Sequence, residues 1–90
     1  MMLDIIYSSQ FKKDFKKSRK LPLPDLKELF HVISILENKK TLDVKYKYHS
    51  LVGNWFGFRE CHLKADWLLI YQVKDDKLQL ARIGTHSELF

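Results

Sequence analysis

The sequence predicts an α+β domain of order β-α-α-β-β-β, with two N-terminal helices packed on a mainly antiparallel four-stranded sheet. Three observations carry that expectation. Apolar residues recur at helical spacing only in the first half of the chain. Three runs rich in aromatic and β-branched residues fill the second half. Turn-forming residues separate those runs. The 90 residues make a single domain, 1–90, and a hydrophobic share of 46% suffices for one small core.

Residues 3–7 (LDIIY) read as a first strand, bounded by Ser8 and Ser9. Either serine can cap the following helix, whose buried stripe is Phe11 and Phe15 at i and i+4. The run Leu21-Pro22-Leu23-Pro24 must break it, because proline lacks an amide hydrogen and restricts the residue before it. Pro24 then suits the first turn of a second helix, expected to run to about Asn38. Leu26, Leu29, Phe30, Ile33 and Leu36 form its core stripe, and His31 falls on the exposed side. Residues 41–48 are polar and irregular. Residues 54–63, 66–74 and 77–84 are the remaining strands.

Register decides which side chains meet. A two-residue loop at Asp75-Asp76 would pair Lys74 with Lys77, Tyr71 with Leu80 and Leu69 with Arg82. A three-residue turn at 63–65 would pair His62 with Asp66, Cys61 with Trp67 and Arg59 with Leu69. Arg59, Cys61, Trp67, Leu69, Tyr71, Leu80 and Arg82 then share one face. The other face, with Phe56, Phe58, Leu68, Ile70, Ala81 and Ile83, is expected to lie against the helices. A one-residue slip would invert these assignments.

Charge is unevenly placed. Residues 1–48 hold 11 Lys and Arg against 6 Asp and Glu, whereas residues 49–90 hold 5 of each. The whole net charge of +5 therefore belongs to the first half. Lys12, Lys13, Lys16, Lys17, Arg19 and Lys20 crowd the first helix, with Asp14 their only acid. Such a block suits a solvated face, a polyanion such as RNA, or an acidic protein segment. The single Cys61 excludes an internal disulfide and any multi-cysteine zinc site, and reads as a small buried residue. No apolar run approaches a membrane span, and no signal-peptide pattern opens the chain. A cytoplasmic protein without membrane attachment is expected.

Three of the four histidines, His49, His62 and His86, lie where strands start or stop. Imidazole both takes and gives a proton near neutral pH. RNA can be cut without metal when its 2′-hydroxyl attacks the adjacent phosphate. That needs a base for the hydroxyl, an acid for the departing 5′-oxygen and cations for the crowded phosphorane. Two histidines and one or two arginines meet this list, with Arg59 and Arg82 the candidate cations, since guanidinium matches phosphate oxygens in a fork. Asp66 can orient His62. Trp67, Tyr71 or Phe90 can stack a base. The same histidines with Asp66 could instead ligate a metal, but no helical ligand pair exists and adjacent arginines repel a cation. No metal and no cofactor is expected.

The run Tyr46–Trp55, then Phe58-Arg59-Glu60-Cys61-His62 through Asp66-Trp67-Leu68-Leu69-Ile70-Tyr71, and finally Arg82-Ile83-Gly84-Thr85-His86-Ser87-Glu88-Leu89-Phe90, resemble the YafQ branch of the RelE/ParE toxin superfamily. The resemblance covers essentially the whole chain. It implies an α+β toxin that cuts mRNA in the ribosomal A site without metal and is silenced by a cognate antitoxin in a hetero-oligomer. It implies that His49, His62, Asp66 and His86 are catalytic, with His86 the general acid and His49 and His62 both candidates for the base. Trp67 and Phe90 would orient mRNA, and Arg82 would stabilise the transition state. Ala65 departs from the proline that relatives often carry before the aspartate. ParE-like relatives of this fold poison DNA gyrase by contact, which is the alternative; a set of acid–base residues argues against it.

Overall fold

The computed structural model describes residues 2–90. Its branched N-terminal run forms β1 (Asp4–Tyr7). Ser8 then caps α1 (Ser9–Ser18): its hydroxyl accepts the Phe11 amide at 2.9 Å and donates to the Ala81 carbonyl at 2.7 Å. Helix α2 (Leu23–Glu37) carries Pro24 in its first turn, where the missing amide hydrogen would have had no partner. A 3₁₀ turn (Val44–Tyr46) leads to β2 (His49–Ser50), and a second (Gly53–Trp55) leads to β3 (Arg59–Lys64). Then come β4 (Trp67–Lys74), β5 (Lys77–Gly84) and α3 (His86–Leu89).

The strands lie in the order β1-β5-β4-β3-β2, with β1 parallel to β5 and the other neighbours antiparallel. The α+β class holds. The sheet has five strands rather than four, because His49 and Ser50 pair with Glu60 and Arg59. Residues 54–58 are not the start of a strand. A 3₁₀ turn and Gly57, at φ +93°, bend the chain there, and a Cβ on Gly57 would meet the Gln72 amide nitrogen at 3.2 Å.

Asp75 and Asp76 both take positive φ, 53° and 61°, the geometry of a primed two-residue turn. Lys74 faces Lys77 and Tyr71 faces Leu80, as expected. Beyond Tyr71 a bulge intervenes, so Arg82 stands opposite Ile70 and Ile83 opposite Leu69; the expected Leu69–Arg82 pair does not form. The other hairpin turns on Ala65-Asp66, not on 63–65. Cys61 therefore pairs with Leu69, His62 with Leu68 and Arg59 with Tyr71. This shift of two positions preserves side-chain parity in β3 and β4.

The face that carries the helices is the reverse of the expected one. Cys61, Trp67, Leu69, Tyr71, Leu80 and, through the bulge, Ile83 share a core with Phe11, Leu29, Val32, Ile33 and Leu36. Leu68 and Ile70 form a second cluster with Leu51, Trp55, Phe58 and Ala81, closed by Leu89 of α3. Both faces are apolar, so a period of two separates the sets without saying which one lies under α1 and α2. Phe56, expected in the core, is 81% exposed.

Strand β1 covers only Lys77–Leu80 of β5, and α1 completes the edge above it. Asp14 accepts the Ile83 amide at 3.1 Å and holds the Arg82 guanidinium through Nε at 2.8 Å and Nη2 at 3.1 Å. Burial alone would raise the Asp14 pKa. Hydrogen bonds from Arg82, Ile83 and Gln10 outweigh it and hold the carboxyl below its usual range. A depressed folded pKa means stabilisation that is present above the unfolded value of about 3.9 and is lost as pH falls through the folded one. Asp14→Ala should cost about 3 kcal/mol at neutral pH, because it strands a largely buried guanidinium. Thermal melts would read this as a lowered Tm, with the gap to the parent chain narrowing below about pH 4. A gap independent of pH would refute the ionised pair.

Candidate active site

On the sheet face away from α1 and α2, three histidines converge. Glu60 and His62 are two residues apart on β3, so both point to this face. Strand β2 sets His49 opposite Glu60, and α3 delivers His86. The His49 and His62 ring centroids lie 6.3 Å apart, and those of His62 and His86 5.6 Å. The half-exposed Phe90 continues the row, 6.3 Å from His86.

Asp66 orients His86, not His62. From the β3–β4 turn, its Oδ1 accepts both the His86 backbone amide and His86 Nδ1, each at 2.9 Å. These bonds, the backbone one first, hold the Asp66 carboxyl below its usual range. Nδ1 is thereby the donor nitrogen, and Nε2 is left for a substrate. A capping box fixes the same segment: Thr85 Oγ1 accepts the Glu88 amide, and Glu88 Oε1 accepts the Thr85 amide at 2.8 Å.

Glu60 is the site residue that sequence reasoning missed. It is only 4% exposed, and its Oε1 lies 2.8 Å from His49 Nε2 and 3.6 Å from His62 Nε2. His49 Nδ1 faces the Lys47 carbonyl at 3.1 Å, so acceptors stand at both its ring nitrogens. His62 reaches Glu60 only beyond hydrogen-bond range, which leaves its ring free. The usable signal was the two-residue spacing of Glu60 and His62 on one strand face.

The other expected residues are distributed elsewhere. Arg59 faces the helix side of the sheet, bonded to Ser50 Oγ at 3.1 Å and lying over the Tyr48 ring at 5.7 Å. Arg82 stands in the cross-strand row His49–Glu60–Ile70–Arg82, with its guanidinium on Asp14. Two strand spacings put its backbone about 10 Å from that of Glu60. Trp67, 7% exposed, belongs to the core beneath the helices and not to the histidine row. Tyr71 is buried in the same core. Burial, then the Glu60 charge, pushes the Cys61 thiol up to about 12 and makes it unreactive. His31 is exposed on α2.

A cleft of about 370 Å³ opens beside His62, lined by Lys45, Lys47 and Lys64 with Glu28 and Tyr46. Lys45 and Lys47 suit a phosphate backbone, whereas Lys64 is paired with Asp25 at 2.8 Å. Glu60, His62 and His86 each offer one ligand atom, all within 4.8 Å of one another. One carboxylate and two imidazoles fit zinc or copper. The repulsion expected from arginines is reduced, since Arg59 lies across the sheet and the Arg82 guanidinium is drawn to Asp14, its strand two places from that of Glu60.

A protein-family model described as the bacterial toxin of type II toxin–antitoxin systems, YafQ, matches residues 3–90. The chain belongs to the YafQ toxin family. The mRNA interferase toxin YafQ of Escherichia coli (strain K12) is 41% identical over 88 residues, 97% of this chain and 95% of that protein. Among solved structures, a metal-bound toxin from Helicobacter pylori matches with a TM-score of 0.90 at 48% identity, covering 99% of this chain and 100% of its own. The YafQ-like fold also matches the E. coli DinJ–YafQ complex, with a TM-score of 0.87, 40% identity and 98% coverage of both chains. YafQ-family membership thus spans both the helical half and the half that carries the histidines.

The burial of Trp67 sets a test of its role. Trp67→Ala should cost about 3–5 kcal/mol of stability. A melt that showed no loss would place the indole outside the core.

Proposed function

We propose that this YafQ-family toxin is an endoribonuclease that cuts mRNA in the A site of the translating 70S ribosome, without metal, through the 2′-hydroxyl. The observation that supports this most is the pairing of an Asp66-oriented His86 with an unengaged His62 5.6 Å away. His62 serves as the base, because its ring is free whereas His49 meets acceptors at both nitrogens. Removing the 2′-hydroxyl proton lets that oxygen attack phosphorus. His86 Nε2 then donates its proton to the departing 5′-oxygen, and the products are a 2′,3′-cyclic phosphate and a 5′-hydroxyl. Asp14 engages Nε and Nη2 of Arg82 and leaves Nη1 for a phosphate oxygen of the phosphorane. Phe90 stacks a base beside His86, and Lys45 and Lys47 of the adjoining cleft carry the flanking backbone. The toxin acts in the cytoplasm, where its target is, and works as a monomer when released from a hetero-oligomer with its antitoxin.

One observation favours a second role for the same groups. Glu60, His62 and His86 form a metal-fitting set, and the H. pylori toxin is metal-bound. Occupancy there would take up the lone pairs of both histidines and so inhibit cleavage.

Three measurements follow. On translating ribosomes, His86→Ala should fold normally yet cut mRNA about 10²–10⁴-fold more slowly. A 2′-deoxy nucleotide at the scissile position should abolish cutting. EDTA should leave the rate unchanged, while stoichiometric zinc or copper should suppress it. A normal rate in the His86 variant would remove it as the acid. Stalled growth with intact mRNA and broken DNA would instead point to gyrase.

A further inference from the structure

The β3–β4 turn carries Asp66, and its backbone does not hold it in place unaided. Lys64 pairs with Trp67, so Ala65 and Asp66 form a two-residue connection. Neither has a positive φ, in contrast to Asp75 and Asp76 in the β4–β5 turn. An unprimed two-residue turn opposes the twist of the strands it joins, whereas a primed one follows it. The Asp66 side chain is also 63% exposed and that of His86 51%, so water competes for the bond between them. That bond therefore depends on where the two backbones stand. At the His86 end, the capping box and the buried Leu89 fix the position. The Asp66 end needs a hold from elsewhere.

A bulge supplies it. His62 stands opposite Leu68 and Lys64 opposite Trp67, so Leu63 is an extra residue in β3. Without that residue Lys64 would share the face of Glu60 and His62. With it, Lys64 shares the face of Trp67, which lies beneath the helices. There its Nζ meets Asp25 Oδ2 at 2.8 Å, in the first turn of α2. The Asp25 side chain is only 10% exposed and that of Lys64 57%. A pair with one end in water adds little to stability. It does join α2 to the last residue of β3, two positions before Asp66.

We propose that the Asp25–Lys64 pair is a positioning clamp: it anchors the β3–β4 turn to α2, so that Asp66 meets the His86 amide and Nδ1 together. Lys64 and Asp25 are positioning residues, and neither takes part in proton transfer. Lys64 also lines the cleft beside His62, where a free ammonium would bind phosphate. Its tie to a largely buried carboxylate commits it to the turn instead. The inference rests on the nuclease reading above and gives the helical layer a part in it.

The test compares Lys64→Met with Asp25→Asn in the whole chain, on translating ribosomes. Both should lower kcat about 10-fold with KM unchanged, within the roughly 10²-fold that a small misplacement can cost. Their Tm should stay near the parent's, since one end of the pair is in water. The double variant should be no slower than either, because the two side chains act as one contact. Asp25→Asn is the decisive arm. It frees the Lys64 ammonium, so a lysine that served the RNA backbone would then cut as fast as the parent or faster. Ala65 takes the second position of an unprimed turn and Lys64 before it is a strand residue, so proline fits there. Ala65→Pro added to Lys64→Met should recover most of the rate by stiffening the turn. Hydrogen exchange on the free chain needs no substrate. The His86 amide, which donates to Asp66, should exchange about 10-fold faster in both single variants and slow again with the proline. A parent kcat in Asp25→Asn, a loss confined to KM, or unchanged His86 exchange in both variants would overturn the clamp. A parent chain that cut no mRNA on ribosomes would overturn the nuclease reading instead, and the exchange measurement would still decide the clamp.

Discussion

Five consecutive residues of β4, Trp67 to Tyr71, are buried, and the rest of the molecule is arranged around that demand. A strand buried on both sides needs cover on both sides. Helices α1 and α2 supply it for Trp67, Leu69 and Tyr71. For Leu68 and Ile70 the cover is a patch from the β2–β3 connection and Leu89 of α3. A helix of four residues cannot stand alone in water, so α3 exists because Leu89 is held down and Thr85 and Glu88 close its first turn. His86 opens that helix. The apolar contact that completes the core is therefore also what seats an imidazole next to His62.

Much of this was legible in local signals. The Ser8 cap, the proline break before α2, the primed turn at Asp75-Asp76 and the exposure of His31 each depend on a few adjacent residues, and each stands in the structure. The misreadings arose where the deciding information was distant. A single extra residue near Ala81 exchanged the faces of Arg82 and Ile83. The partner of Asp66 depended on where the C-terminal helix came to rest, 20 positions further on. Sheet alternation gave two apolar sets and no means of ranking them. Glu60 was hidden because one charged residue in a strand ordinarily faces solvent, and nothing local marks it as enclosed by two imidazoles.

The sheet also partitions the molecule electrically. All the surplus positive charge lies in the half that contributes α1 and α2, while the half that carries the histidines is balanced. Along α1 the helical side is aromatic and cationic, Lys45 and Lys47 carry part of the surplus to the cleft beside His62, and the histidine face holds paired acids and bases at short range. Asp14 and Arg82 join the two across the upper edge of β5. That pair keeps α1 in register with β5.

The pairing of β1 with β5 has a kinetic corollary. Ser8 meets Ala81 across 73 positions, whereas the β3–β4 and β4–β5 hairpins each close through two residues. Closing the long loop forfeits far more chain entropy than closing either short one. The meander of β3, β4 and β5 is joined by the two short closures, and the N-terminal strand meets it only through the long one. The aromatic floor beside α1 therefore depends on the long closure, whereas His62 sits on a hairpin that needs only a short one.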